Sequence, residues 1–171
     1  MERTLQKFGA VAVLFVAGLG ALFPSSMSWL YIVVFMVFEF WLLRRIGAAG
    51  SATVPPGEPP YRFDATEAEL VSRYRYYFTF PAEARAASSV LAALGLSALI
   101  LSPWLVFRGQ FVQAGLIAVN LLAVGALTRR ISPVLALRIT ASKGDRKALD
   151  MLAAHETAWT KIQVANAAAG G

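Results

Sequence analysis

The stretch FGAVAVLFVAGLGALFPSSMSWLYIVVFMVF, Phe8–Phe38, contains no charged residue. A membrane-spanning helix needs about 20 apolar residues, so this stretch is too long for one span and must be broken. The break is predicted at FPSSMS, because Pro24 removes a helical hydrogen-bond donor and serine hydroxyls cap helix ends. The stretch therefore predicts two spanning helices, about 8–23 and 27–43, that form a first hairpin within residues 1–45.

These two predicted spans are short. At about 1.5 Å per residue they cover roughly 24–26 Å of a hydrocarbon core about 30 Å thick. We therefore expect the turn between them at or slightly inside the headgroup boundary, or a locally thinner bilayer. A shallow re-entrant hairpin is the competing geometry, because irregular backbone is tolerated at membrane depth where protein surrounds it.

A second hairpin is predicted after a linker. Residues 46–81 begin with IGAAGSATVPPGEPP, whose prolines favour extended backbone. Apolar stretches over about 82–107 and 111–127 predict two further spans within residues 82–130, separated only by RGQ. Pro103 lies inside the first of these spans and is expected to kink it.

The remaining residues, 131–171, predict an amphipathic C-terminal helix and a flexible tail. Ser132 and Pro133 have the N-cap and first-turn chemistry of a helix start. A polar helix with apolar residues near one face is expected over about 145–164.

Composition and charge support membrane insertion and give an orientation. Hydrophobic residues make up 57% of the 171 residues, above the about 45–50% of soluble proteins. Fifteen of the sixteen lysines and arginines fall on one side of the four predicted spans, and only Arg108 falls on the other. Since basic residues concentrate in cytoplasmic loops, both termini, the linker and the C-terminal helix are expected in the cytoplasm.

The fold class predicted is an all-α integral membrane protein. Its four transmembrane helices form two antiparallel hairpins, both termini are on the cytoplasmic side, and amphipathic helices lie at the interface. A bacterial inner membrane is the expected location, because organelle targeting features are lacking.

The chemistry open to the chain is narrow. Without cysteine it forms no disulfide, thiolate nucleophile, iron–sulfur cluster or cysteine zinc site. The single histidine, His155, cannot supply both axial ligands of a haem and has no second metal-ligand motif beside it. We expect His155 to be a surface side chain, and we expect no cofactor, no metal and no catalytic residue.

Among the polar residues within the apolar parts of the spans, Glu39 and Asn120 are the candidates for a polar site. Glu39 is the ionisable one, and a buried acid can bind a cation or relay a proton. It is close to the end of its span, so we favour pairing at the interface with the arginines at 44–45 or 129–130. Asn120 lies near the middle of the last span, where its amide is expected to hydrogen-bond across helices.

Small residues recur along the third predicted span. Ser89, Ala93 and Ser97 are spaced by four residues, and such a face lets helix backbones approach closely. We expect helix packing along this face, either within the chain or against another subunit.

The segment RYRYYFTF, 73–80, is predicted to form the end of an amphipathic helix over about 66–78. Thr66 and Glu69 have the spacing of a capping box, and Leu70, Val71, Tyr74, Tyr77 and Phe78 follow on one helical face. An RNA-binding strand is the alternative. The glycines of that pattern and a second such strand are lacking, so no nucleic-acid partner is expected.

This helix is expected to lie in the membrane interface or against a partner, with rings at headgroup depth and guanidiniums on lipid phosphates. The residues predicted to make such contacts are Arg44, Arg45, Arg73, Tyr74, Arg75, Tyr77, Phe78, Arg129 and Arg130.

These features predict a small membrane accessory, scaffold or assembly subunit of a larger complex or a homo-oligomer, without catalytic chemistry of its own. Its partners would be a bilayer with anionic headgroups and other membrane subunits or itself. One alternative is a small oligomeric transporter or channel that uses Glu39. Another is a lipid-handling enzyme whose arginines bind phosphates at the inner interface, although no nucleophile or metal-ligand cluster accompanies them.

Overall fold

The computed structural model describes residues 2–23, 26–51 and 62–169. All regular elements in these ranges are helices, so the predicted all-α class is confirmed there. The predicted break at Pro24 and the proline-rich part of the linker lie outside the described residues. The helices are α1 (Glu2–Leu22), α2 (Met27–Ser51), α3 (Ala65–Arg73), α4 (Arg75–Thr79), α5 (Pro81–Phe107), α6 (Phe111–Ile131), α7 (Pro133–Ala141) and α8 (Arg146–Ala169).

Two of the described helices, α5 and α6, are long and apolar enough to cross a membrane. They occupy the predicted second hairpin, and α6 continues past its predicted end to Ile131. In the first hairpin, the apolar part of α1 is the shorter stretch Val11–Leu22, and α2 continues past its predicted end to Ser51. Membrane crossing by the first hairpin stays a prediction.

The chain divides into two compact units. The first unit comprises Met1–Arg45 and Ala82–Thr128, and the second comprises Ile46–Pro81 and Arg129–Gly171. Most of α1, α2, α5 and α6 therefore belongs to the first unit, whereas α3, α4, α7 and α8 belong to the second.

The outside of the first unit is apolar. Within 11–23, 27–43, 92–107 and 111–126, every exposed residue is aliphatic, aromatic, glycine, proline or methionine. Charged and polar side chains normally cover much of the surface of a water-soluble protein, and these helices lack them on their exposed faces. Among the residues of this unit whose burial is described, the buried polar side chains are Ser28, Glu39, Ser97 and Gln113.

Helix α5 forms side-chain hydrogen bonds with each of the other three helices of the first unit. Because few polar groups are available inside an apolar bundle, such bonds help to set which helices are neighbours. To α2, the Tyr31 hydroxyl donates to the Leu94 carbonyl (3.1 Å) and hydrogen-bonds with the Ser97 hydroxyl (2.7 Å). To α1, Trp104 Nε1 donates to the Ala21 carbonyl (3.0 Å). To α6, Ser102 Oγ donates to the Ala114 carbonyl (3.1 Å).

The small residues predicted to pack differ in their surroundings. Ala93 and Ser97 are buried, and the Ser97 hydroxyl meets Tyr31. Ser89 is partly exposed, and its hydroxyl donates to the Arg85 carbonyl one turn earlier in α5. The packed part of this face therefore lies towards the middle of α5.

The turn between α5 and α6 is short because α5 ends in a Schellman motif. Gly109 has φ +74°, a left-handed conformation that glycine adopts without steric cost. The Gly109 amide donates to the Val106 carbonyl (3.0 Å), and the Gln110 amide donates to the Leu105 carbonyl (2.8 Å). These two bonds satisfy carbonyls that the helix end would otherwise leave unpaired.

In the second unit, α3 starts earlier than predicted. The Asp64 side chain accepts from the Glu67 amide (2.7 Å), and Glu67 Oε2 accepts from the Asp64 amide (2.9 Å). The predicted capping box of Thr66 and Glu69 is therefore wrong, since Asp64 and Glu67 have the same spacing and aspartate is a strong N-cap. The predicted continuous helix over 66–78 is also wrong, because Tyr74 separates α3 from α4.

The apolar face of α3 and α4 forms the core of the second unit. Tyr74 is 6% exposed and Phe78 is 4% exposed, so the prediction that these rings lie at the lipid headgroups is wrong. Helix α8 covers the α3 side of this face, and α7 packs on α8. The buried members of this core are Leu70, Val71, Tyr74, Phe78, Ala136, Leu137, Ala148, Met151 and Ala158.

A buried ion pair connects the start of α3 to α8. The Glu67 side chain is 3% exposed, and its Oε2 accepts from Lys161 Nζ at 2.5 Å as well as from the capping amide of Asp64. Lys161 also donates to the Arg62 carbonyl (3.3 Å). Glu67 therefore stabilises both the helix start and the α3–α8 contact.

We expect Glu67→Gln to lower the free energy of unfolding of the second unit by about 1–3 kcal/mol, because it weakens a buried charged hydrogen bond. Glu69→Gln is the matched control, since Glu69 pairs with Lys147 at 2.8 Å on the surface and such pairs contribute about 0–1 kcal/mol. Amide hydrogen exchange in α3 and α8 measures both changes. Equal effects of the two variants would contradict the assignment.

Candidate functional site

Glu39 lies inside the first unit. It shares one stripe of α2 with Tyr31, Phe35 and Leu42, which are all buried, and it is itself 7% exposed. Its Oε1 has no hydrogen-bond partner within the described chain. A buried carboxyl oxygen without a partner is costly, so its retention needs a reason.

The predicted partners of Glu39 are placed differently. The Arg45 guanidinium forms a two-pronged pair with Glu83 of α5, in which Nε donates to Oε1 (2.7 Å) and Nη2 donates to Oε2 (2.6 Å). The predicted pairing of Glu39 with Arg45 is therefore wrong. Arg44 is exposed, and Asn120 is partly buried with no hydrogen-bond partner for its Nδ2 in the described chain.

An apolar groove runs between α1 and α5 in the first unit. Its volume is about 520 Å³, and its lining includes Ala17, Gly18 and Ala21 on one side and Ile100 and Trp104 on the other. A Cβ placed on Gly18 would meet no atom within 4 Å, so the groove is open at that residue. Below, this feature is called the α1–α5 groove.

Four rings meet in the second unit. The ring centroid of His155 lies 5.9 Å from that of Tyr77 and 5.9 Å from that of Phe78. The ring centroids of Trp159 and Tyr77 are 5.5 Å apart. His155 is half-buried, and its Nε2 has no hydrogen-bond partner in the described chain. The prediction of a surface histidine is therefore wrong, because α8 brings this residue against the aromatic end of α4.

Burial sets the protonation of two groups in this unit. It lowers the pKa of His155, and the Glu156 carboxylate acts in the opposite direction. It raises the pKa of Tyr74, against the lowering effect of the Arg73 charge, so the phenol stays neutral at physiological pH.

Two adjoining clefts in the second unit share Arg73, Tyr74 and Arg129 as lining residues. The first has a volume of about 350 Å³ and is also lined by Lys143 and Lys147 of the α7–α8 region. The second has a volume of about 400 Å³, and Arg75 and Arg130 complete its basic lining. We call them the α7–α8 cleft and the α4–α6 cleft.

The clefts bring together five of the nine residues predicted to contact headgroups or partners. These five come from 73–75 and 129–130, which are far apart in the sequence. Sequence reasoning missed Lys143 and Lys147 as members of the same site. The sequence feature that could have indicated them is the density of basic residues between Arg138 and Lys147. Only the fold shows which of these side chains line a cleft.

Comparison with known proteins gives no match, whether with a protein-family model, a curated protein or a solved structure. Within the described ranges, no three His, Cys, Asp or Glu side chains are grouped so that they could hold a metal ion. The buried Glu39 and the two basic clefts are the chemically distinctive features of the described chain.

We expect the pKa of His155 to be below its usual value of about 6.5 in the folded protein and near that value in denaturant. Because the unfolded chain then binds the proton more tightly, the second unit should lose stability as the pH falls below about 6.5, until the folded-state pKa is passed. The chain has a single histidine, so one ring signal in a nuclear magnetic resonance titration gives its pKa directly.

His155→Phe is the control for this pH effect, since it keeps a ring beside Tyr77 and Phe78 and removes the titrating group. We expect the variant to lose less stability than the wild type between about pH 7.5 and about pH 5.5. A pKa at or above the usual value, or identical pH dependence in both proteins, would contradict the expectation.

Proposed function

We propose that the protein is an integral membrane accessory or scaffold subunit of a larger membrane complex or a homo-oligomer. The observation that carries this proposal is the apolar exterior of the four described helices of the first unit, whose few polar side chains are mostly buried or half-buried. In water, each apolar Å² left exposed forfeits about 25 cal/mol of stabilisation. In a bilayer the same exterior has no such cost, and the polar groups must be satisfied internally.

The same apolar exterior supports four spans. The exposed face of α2 carries Trp29, Val33, Val37 and Phe40, without a polar residue between Met27 and Leu43 on that face. This face is as compatible with lipid contact as the exposed faces of α5 and α6 are. We therefore propose that α1 and α2 also cross the bilayer, with both termini in the cytoplasm of a bacterial cell.

Since the chain has no cysteine, single cysteines can map this topology. Arg108→Cys and Ser26→Cys should react with a membrane-impermeant maleimide from outside intact cells. Lys143→Cys should react only after the membrane is opened. If Ser26→Cys, like Lys143→Cys, reacts only after the membrane is opened, the turn between α1 and α2 is reached from the cytoplasmic side and the four-span proposal fails.

We place the subunit contact on the α1–α5 groove and propose a transmembrane helix of another subunit as its occupant. Ala17, Gly18 and Ala21 present little side-chain volume on one wall of the groove, which lets a helix backbone approach closely. The groove is also almost wholly apolar, so a helix is better suited to it than a polar ligand. Its exposed surroundings on α1 and α5 are apolar too.

We expect Gly18→Leu to dissociate the native complex, because the new side chain fills the α1–α5 groove. Gly125→Leu on α6 is the matched control, since a Cβ at either glycine meets no atom within 4 Å. Mild-detergent extracts of native membranes, sized by native electrophoresis, give the result. A complex at a multiple of 18.4 kDa indicates a homo-oligomer, whereas a monomeric wild type would refute the accessory role.

A second candidate function is a small transporter or channel that uses Glu39. The observation that favours it is the burial of this carboxyl group with Oε1 unpartnered in the described chain. An ionisable residue inside an apolar bundle commonly marks an ion or proton pathway. In the scaffold function, by contrast, a neutral amide at this position would serve equally well.

Proteoliposomes distinguish the two functions. If Glu39 carries protons or monovalent cations, Glu39→Gln should reduce the flux to that of protein-free vesicles, because it removes the titratable group. Glu83→Gln controls for the loss of an acid elsewhere in the first unit and should keep the flux. No flux in the wild type, or the same flux in both variants, removes the transport function.

A further inference from the structure

The two basic clefts carry more positive charge than their own acids neutralise. Arg129 and Lys143 have no acidic partner among the described residues. Arg73 contacts only the weakly accepting Met151 sulfur, at 3.8 Å, among its described hydrogen bonds. Lys147 pairs with Glu69, but both side chains are largely exposed, so this pair is weak and exchangeable.

The acid in the α7–α8 cleft, Asp145, is already engaged. Its Oδ1 accepts from the backbone amides of Lys147 (3.0 Å) and Ala148 (3.3 Å), so it caps the start of α8. Its charge therefore complements the helix N-terminus as well as the nearby cations. The α4–α6 cleft has no acidic lining residue.

We propose that these clefts form a binding site for a phosphate-bearing group, with Arg73 and Arg129 at its centre. Arginine presents a planar set of donors that matches phosphate oxygens in two-pronged geometry, and lysine adds a point charge. Volumes of about 350 and 400 Å³ accommodate a phosphate or diphosphate with part of its substituent. The site is independent of the scaffold function, since it lies wholly within the second unit.

Flanking charges alone do not explain this arrangement. Arginines after a spanning helix are expected from topology, and Arg129 and Arg130 follow the apolar part of α6 directly. Topology does not require Arg73 from α3 to line the same clefts as Arg129. Arg138 and Arg146, which belong to the same unit and are exposed, line neither cleft.

The phosphate could belong to a lipid headgroup or to a soluble compound, and both present the same chemistry to the clefts. The test uses full-length protein in phosphatidylcholine nanodiscs. In one arm, calorimetry measures the binding of inorganic pyrophosphate. In the other, nanodiscs that also contain phosphatidylglycerol are released into detergent, and native mass spectrometry measures the lipid that stays bound.

Two double variants with the same change in charge decide the outcome. Arg129→Gln with Arg130→Gln should weaken binding of the probe by about tenfold or more, as expected for lost charge-assisted hydrogen bonds. Arg138→Gln with Arg146→Gln should bind as the wild type does. All four arginines are exposed, so folding should be kept, and Lys143→Gln serves as an independent variant if the first pair fails to fold.

Each outcome gives a decision. Selective loss of pyrophosphate binding supports a soluble phosphate ligand, and selective loss of retained phosphatidylglycerol supports a headgroup. Equal loss in both double variants would mean that general electrostatics, and not the clefts, attracts the anion. That result, or no binding of either probe by the wild type, overturns the proposal.

Discussion

The hydrogen bonds of α5 hold together a unit whose outside is apolar. If this unit lies in a bilayer, as we propose, burial of apolar surface does not select one arrangement of helices, because lipid-facing and helix-facing surfaces would be equally apolar. The few polar groups and the small residues then decide which helices are neighbours. Tyr31, Ser102 and Trp104 do this by connecting α5 to α2, α6 and α1, and the Arg45–Glu83 pair adds a second connection between α2 and α5.

The second unit differs from the first in its exterior. Its apolar residues are inside, its charged residues are mostly outside, and its core resembles that of a water-soluble helical domain. Among the described residues, Glu67 is the exception, and it is satisfied by a helix-start amide and by Lys161. One chain thus combines a unit whose spans have an apolar exterior with a unit whose exterior is rich in charged residues, and six basic residues line two clefts of the latter.

Sequence patterns located the helices well where the signal is local. The ends of α5 and the start of α6 follow from an apolar run bounded by RGQ, and the start of α7 follows from Pro133 in its first turn, whereas the Ser132 side chain makes no capping hydrogen bond. The pattern of RYRYYFTF correctly marked an apolar helical face but not what covers it. Two of the residues that cover this face, Met151 and Ala158, are more than 70 positions away in the sequence, and periodicity contains no information about such distant contacts.

For the candidate sites too, local features could be predicted from the sequence and distant contacts could not. The sequence by itself determined that the chain is helical, that long stretches suit lipid, that thiol chemistry is absent, and that Glu39 is unusual, because these depend on composition and local order. Only the tertiary structure decided that Arg45 pairs with Glu83, that His155 lies among aromatic rings, and that Arg73 and Arg129 line the same clefts. The physical reason is that partner choice depends on which helix faces meet, and many pairings of faces satisfy the same hydrophobic pattern.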